Sequence, residues 1–235
     1  MFPAIIEGHC YVFVDTPGFN DSDPQRTDAD VFMEILSWFR QMTPVCDLAG
    51  VLYLHDITQP RFSDAARMNL ELLQALCGEE YFRNITIITT MWRKLSPDAC
   101  DLAEETQRQL EEDSWKPLIK HGARVIQHLE GVVEPLVPFH DPRKLQKIDQ
   151  QREKAKTELQ DIVVYYQTSD RIRPQIQREL RANISIFKTR AGLLIKDIWG
   201  EKEVPPPQES WWDSFCKVLK WFKSRFQPSS SSSDS

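Results

Sequence analysis

An acid and a glycine that follow an early apolar stretch could together bind a phosphate and a metal ion. The stretch is Tyr-Val-Phe-Val at residues 11–14, and Asp15, Thr16, Pro17 and Gly18 come directly after it. A carboxylate at the end of a buried strand can hold magnesium, and the backbone N–H of a glycine three residues later can contact a phosphate. The alternative is a plain strand-to-loop turn, with Pro17 at its first corner and a positive φ at Gly18.

The strands that must position these residues are predicted from short apolar runs. Residues 5–14 are expected to form two short strands around Glu7-Gly8, and the second of them is nearly continuously apolar, which favours the centre of a sheet. Further strands are predicted at 48–57, 84–92 and 123–129, with helices at 31–39, 66–78 and 101–120. This alternation indicates an α/β fold with a parallel sheet and flanking helices.

Ligands of such folds lie beyond the carboxyl ends of the strands, and every candidate residue falls at one of these ends. The candidates are Asp15 to Gly18 after the first apolar strand, His55 and Asp56 after the second, and Thr89, Thr90, Met91 and Trp92 after the third.

Residues 142–235 differ from residues 1–141 in net charge and in the spacing of their apolar residues. The first part carries 11 Lys and Arg against 23 Asp and Glu, a net charge of −12, whereas the second carries 18 against 12, a net charge of +6. Apolar residues at steps of three and four predict two long helices at about 145–166 and 172–198, which form an antiparallel pair packed against each other or against the sheet domain. The apolar faces of these two helices most simply form part of the core, and the alternative is that they bind a second copy of the chain. The basic excess is typical of a solvated helical face, and no nucleic-acid polymer is expected as a partner.

The end of the chain is predicted to hold one amphipathic helix between two irregular segments. Residues 201–208 form a Pro-rich linker, 209–227 the helix, and 228–235 a disordered Ser-rich tail. Aromatic residues share one face of the helix, and Lys and Arg lie off it. Such a helix could lie on an anionic membrane, or dock onto this chain or into the groove of a protein partner.

The cysteine and histidine content indicates the cellular compartment of the protein and bears on whether it binds zinc. The five cysteines are scattered without a Cys-x-x-Cys pair, and the five histidines form no His-Glu-x-x-His, so a zinc site has little support. The odd cysteine count favours the cytoplasm, with peripheral membrane binding left open. No run of 18 apolar residues occurs, so a membrane-spanning helix is not expected.

The sequence resembles P-loop GTPases of the septin-like and immunity-associated kind, and most closely the G-domain proteins abundant in fungi. The matching stretches lie between about residues 5 and 198 and include VFVDTPGFND, LAGVLYLHDIT and NITIITTMW. The resemblance implies GTP binding with Mg²⁺, GTP hydrolysis and self-association. By the resemblance, Asp15 would hold the metal, Thr16 and Gly18 would contact the phosphates, and Thr89, Thr90, Met91 and Trp92 would occupy the base-recognition position.

Three departures from this family predict a degenerate site. No Gly-x-x-x-x-Gly-Lys-Ser/Thr loop occurs, and only 14 residues precede Asp15, so the chain is expected to be truncated. The base segment lacks the carboxylate that reads guanine, and Phe19 stands where some GTPases place a glutamine that orients water. We therefore expect no hydrolysis by this chain alone. Because the missing strand normally lies at the centre of the sheet, exposed strand edges are expected. The alternative function is a non-catalytic interaction module that acts through 209–227.

Overall fold

The computed structural model describes residues 1–16, 27–59, 62–128, 142–168, 172–200, 203 and 209–226. It confirms the predicted α/β class, with a parallel sheet flanked by helices and a helical C-terminal region. The strands are β1 (Phe2–Ile6), β2 (His9–Phe13), β3 (Val51–Asp56), β4 (Ile85–Thr90) and β5 (Arg124–Gln127). The α-helices are α1 (Asp28–Met42), α2 (Asp64–Cys77), α3 (Pro97–Glu112), α4 (Lys116–Lys120), α5 (Pro142–Thr168), α6 (Gln175–Arg181), α7 (Arg190–Trp199) and α8 (Glu209–Phe226).

Three parallel strands in the order β3-β4-β5 form the larger sheet. Leu54 of β3 lies beside Ile88 of β4, and Ile88 lies beside Ile126 of β5. Helices connect these strands, as expected for parallel pairing, because each crossover must return the chain to the same end of the sheet. All three strands therefore end at one edge.

The first two strands form a separate antiparallel hairpin. Glu7 and Gly8 connect β1 to β2 with φ values of 49° and 75°, which is the two-residue turn that matches the twist of paired strands. The two predicted strands around Glu7-Gly8 are confirmed, but the predicted central position of β2 is wrong for the described residues, in which β2 pairs with β1 alone. Apolar continuity indicated burial but could not indicate which strand would supply the neighbouring hydrogen bonds.

The outer edge of β3 is open in the described part of the chain. The main-chain groups of His55 and Ile57 face β4, because His55 O accepts from Thr90 Oγ1 at 3.2 Å and Ile57 N donates to Thr90 O at 3.2 Å. The main-chain N–H and C=O groups of successive residues in a parallel strand point to alternate edges. The main-chain groups of Leu52 and Leu54 therefore point to the opposite edge of β3. The Leu54 side chain is 67% exposed. This open edge agrees with the expectation drawn from the missing strand.

Helix α5 packs on one face of the sheet, where its tyrosines contact all three strands. Tyr166 Oη lies 2.7 Å from Thr86 Oγ1 and donates to Val51 O at 3.2 Å. The neighbouring ring of Tyr165 lies 3.9 Å from the guanidinium carbon of Arg124 in β5. Close packing of Tyr166 also explains Gly50, where an added Cβ would lie 2.1 Å from the phenol ring.

The opposite sheet face packs on one apolar core, which combines residues on both sides of the predicted boundary at 141 and 142. It includes Phe32 and Leu36 of α1, Leu72 of α2, Ile85 and Ile87 of β4, Trp115, Ile176 of α6 and Ile195 of α7. The second predicted long helix is not continuous. It is divided into α6 and α7, because Asn183 takes a left-handed φ of 61° and Thr189 caps the start of α7.

Helix α6 is fixed to the loop before β3 by polar contacts. Gln177 is buried, accepts a hydrogen bond from Leu48 N at 3.0 Å and donates one to Cys46 O at 3.1 Å. Arg173 donates to both carboxylate oxygens of Asp47, at 2.7 and 3.1 Å, and Arg181 donates to one of them at 2.9 Å. These bonds position the start of β3. Of the helices described, none is long and apolar enough to cross a membrane.

Candidate functional site

The carboxyl edge of β3, β4 and β5 brings several predicted residues together. Asp56 and Thr90 are register partners at the ends of β3 and β4, and Met91 and Trp92 follow directly. His128 comes after β5, and its N–H donates to Thr89 O at 2.8 Å. Parallel pairing thus places the residues from two of the three predicted strand ends at one edge, as the alternation of strands and helices implies.

Asp56 is held in a charged form by a local turn. Thr58 donates to Asp56 Oδ1 from its N–H at 2.9 Å and from its hydroxyl at 2.6 Å. Partial burial acts to raise the pKa of Asp56, but the hydrogen bonds from Thr58 and Gln59 and the Lys94 ammonium together bring it below the ordinary value. An aspartate followed two residues later by threonine is the sequence signal for this turn.

His55 is packed with aromatic rings rather than presented to a ligand. Its ring centroid lies 5.3 Å from that of the Trp115 indole, edge to face, and 5.8 Å from that of the Phe62 phenyl. Burial lowers the pKa of His55, and the neighbouring Asp56 carboxylate only partly opposes this shift. His55 is therefore neutral near pH 7 and contributes an apolar contact to the core.

The segment predicted to recognise the nucleotide base, Thr89 to Trp92, is partly buried. Thr89 is fully buried, and its hydroxyl donates to Gln107 Oε1 at 3.0 Å and accepts from the Trp92 indole at 3.1 Å. Trp92 is 6% exposed. Thr90 donates its hydroxyl to His55 O, which leaves Met91 as the outward side chain of this segment, 42% exposed and at a left-handed φ of 69°.

Histidine and glutamate form a contact that the sequence did not indicate. His128 Nδ1 lies 3.1 Å from Glu158 Oε2 of α5, and both side chains are partly exposed. These residues are thirty positions apart, so no local spacing could have revealed the pair. The contact fixes α5 against the end of β5.

Asp15 and Thr16 lie at the end of β2, outside the larger sheet. Both are exposed, and neither makes a hydrogen bond or an ion pair with the described residues. Gly18 and Phe19 lie outside the described residues. The metal and phosphate roles of Asp15, Thr16 and Gly18, and the base role of Thr89 to Trp92, stay predictions.

The described residues supply few ligands for a magnesium ion. They contain no group of three or more His, Cys, Asp or Glu side chains suited to a metal. Magnesium in nucleotide sites is commonly held by one or two carboxylates together with phosphate oxygens and water. Asp15 fits such a role as one ligand, and the remaining ligands would have to come from a bound nucleotide and solvent.

Comparison with known proteins finds two distant relatives. No protein-family profile matches the chain. A probable FAD-binding monooxygenase, ltbD of Aspergillus luteorubrus, is 25% identical over 189 residues, which is 79% of this chain and 37% of that protein. GTP-binding protein A of Dictyostelium discoideum is 27% identical over 127 residues, which is 54% of this chain and 26% of that protein. The chain thus spans between a quarter and two fifths of these relatives, and its resemblance to a GTP-binding protein is a distant one.

Proposed function

We propose that this chain is a degenerate G-domain protein whose sheet edge forms one wall of a GTP site. One observation carries the proposal: Asp56, Thr90 and Met91 meet at the carboxyl edge of a parallel sheet in a chain that is similar to a GTP-binding protein. The exposed Met91 side chain offers an apolar surface to a base, and Asp15 offers a carboxylate to Mg²⁺. No flavin chemistry is proposed, because the eight glycines form no Gly-x-Gly-x-x-Gly.

Affinity for GTP is expected to be low. A phosphate loop contributes several charge-assisted hydrogen bonds of about 1.5–3 kcal/mol each, and each loss of 1.4 kcal/mol weakens binding about tenfold. The chain contains no such loop. The same loss argues against hydrolysis by the chain alone.

Titration with a fluorescent GTP analogue in the presence of Mg²⁺ tests the proposal. We expect saturable binding that is lost in Asp15→Ala and retained in Asp161→Ala, which removes an exposed acid from α5. Absence of binding by the unmodified chain would reject a nucleotide function. Equal binding by the two variants would reject the metal role of Asp15.

The second candidate is a non-catalytic interaction module, and the position of α8 supports it. Phe215 and Val218 of α8 are 6% and 5% exposed, and α8 contacts β1. The apolar face of α8 is thus directed at the chain itself rather than at a membrane, which leaves the charged face of α8 to bind a protein partner. Liposomes of anionic lipid, mixed with the chain with and without residues 205–235, test the membrane version. Equal sedimentation of the two forms contradicts it.

A further inference from the structure

A groove of about 500 Å³ lies between α2 and α7 and has an apolar floor. Its floor is formed by Ala75, Leu193 and Leu194, and Leu193 is 51% exposed. Four of the large apolar side chains that the described residues expose fall within 184–198, and one of them, Leu193, lines the groove. A groove between two helices that has an exposed apolar floor is typical of a surface that receives a helix of a protein partner.

Opposite charges line the two ends of the groove. Lys188 and Arg190 lie at the start of α7, whereas Asp197 lies two turns further along, about 10 Å away at 1.5 Å per residue. Glu179 of α6 accepts a hydrogen bond from Arg190 N at 3.2 Å.

The direction of helix α2 determines which end of the groove Glu71 lies nearer to. Gly78, at the end of α2, lies against Gln175, whose amide donates to Glu179. The end of α2 therefore lies on the same side of the groove as the start of α7. Because Glu71 lines the groove and precedes Gly78 by two helical turns, it lies toward the other side, which holds Asp197. One end of the groove holds two bases, Lys188 and Arg190, beside one acid, Glu179, and the other end holds the acids Glu71 and Asp197. Within the described residues, the side chains of Lys188, Arg190, Glu71 and Asp197 make no ion pair.

Helix α8 carries the complementary pattern on its exposed side. Asp213, Lys217 and Lys220 are spaced four and three residues apart, so they share one helical face, opposite the face that buries Phe215 and Val218. Seven residues separate Asp213 from Lys220, as they separate Arg190 from Asp197. These three charged side chains also make no ion pair within the part of the chain that the structure describes.

We propose that the groove binds α8 of a second copy of this chain, while that α8 keeps its apolar face on its own β1. Asp213 then meets Lys188 and Arg190, and Lys217 and Lys220 meet Glu71 and Asp197. The aliphatic stem of Lys217 covers Leu193. Matching the separation and order of the charges fixes the direction of α8 in the groove, because the reversed direction would place like charges together.

Charge-swap variants measured by sedimentation equilibrium test this contact. The unmodified chain is expected to dimerise, and added salt should weaken the dimer because the paired charges are exposed. Lys217→Glu with Lys220→Glu is expected to weaken dimerisation about tenfold or more, since like charges across an interface cost several kcal/mol. Glu71→Lys with Asp197→Lys should have the same effect. The four substitutions together should restore dimerisation.

Lys116→Glu with Lys120→Glu is the matched control, because it reverses two exposed charges on α4 and should leave the dimer unchanged. Circular dichroism of each variant checks that the fold is retained. A chain that stays monomeric up to about 1 mM, the range of the weakest specific pairs, overturns the proposal. So does a dimer that both double reversals leave intact, or one that the four-fold swap fails to restore. Concentration-dependent hydrogen-exchange protection confined to other elements would assign the contact elsewhere and also overturn it.

Discussion

At the scale of single residues, Gly50 shows how one missing side chain permits a long-range contact. The Tyr166 ring occupies the space that a Cβ at Gly50 would need, with three ring carbons within 2.5 Å of that position. Gly50→Ala is therefore expected to lower the free energy of unfolding by about 1–3 kcal/mol through overpacking. Urea unfolding measures this change. If the clash is the cause, Gly50→Ala costs less in a Tyr166→Ala background, and an unchanged cost would contradict the contact.

The acid response of the chain should include a contribution from Asp47. The hydrogen bond from Arg173 holds the pKa of Asp47 below its ordinary value, and Arg181 adds to the effect. A lowered folded-state pKa stabilises the fold above the unfolded value of about 4, and this stabilisation is lost as the pH falls through the folded value. Because Asp47 is half exposed, the contribution is expected to be below about 1 kcal/mol. Unfolding curves of the unmodified chain and Asp47→Asn should differ at pH 7 and converge in strong acid. A constant difference would contradict the assignment.

At the scale of elements, the sequence predicted which segments are helical or extended better than it predicted how they associate. Residues 31–39, 66–78, 48–57 and 84–92 lie where α1, α2, β3 and β4 are found, because apolar spacing reports the local period directly. Association depends on long-range contacts such as that of Tyr166 with Gly50, which no local window contains. The candidate site shows the same difference between local and long-range information. Asp56 could be predicted because it stands at the end of a predicted strand, whereas no local pattern could link Glu158 to His128, thirty residues away.

Weakening the contact of α8 with β1 should destabilise the β1–β2 hairpin and leave the larger sheet unchanged. Ile6 is 5% exposed and is the most buried residue of the β1–β2 hairpin, and an isolated hairpin is marginal in water. Removing a buried phenyl ring costs about 3–5 kcal/mol in other proteins. Phe215→Ser is therefore expected to speed amide exchange across Phe2–Phe13 by about tenfold or more, with β4 unchanged. Cys216→Ser, a partly exposed position in the same helix that lies outside the proposed dimer contact, is the control. Equal exchange in the two variants would show that α8 does not support the hairpin.

At the scale of the whole molecule, the division into two sheets leaves, among the residues that the structure describes, a strand edge that natural proteins usually protect. Edge strands are commonly shielded by charge, proline or a bulge, because unpaired main-chain groups otherwise recruit further strands. The β3 sequence Val-Leu-Tyr-Leu-His-Asp contains no charged residue before Asp56. Leu54 is an exposed apolar side chain on this edge, so the edge favours self-association of a different kind from the charged contact of α8.

Leu54→Lys should slow aggregation without loss of stability. A lysine at this position places a charge where an approaching strand would pair, and Leu54 is 67% exposed, so the free energy of unfolding should change by no more than about 0.5 kcal/mol. Leu102→Lys is a matched control, because Leu102 is 69% exposed and lies on the helix α3 rather than on a strand. Light scattering during mild heating compares the two variants. Slower aggregation in Leu54→Lys alone assigns the association to the β3 edge, whereas equal slowing in both variants would attribute it to the added charge and contradict a role for the edge.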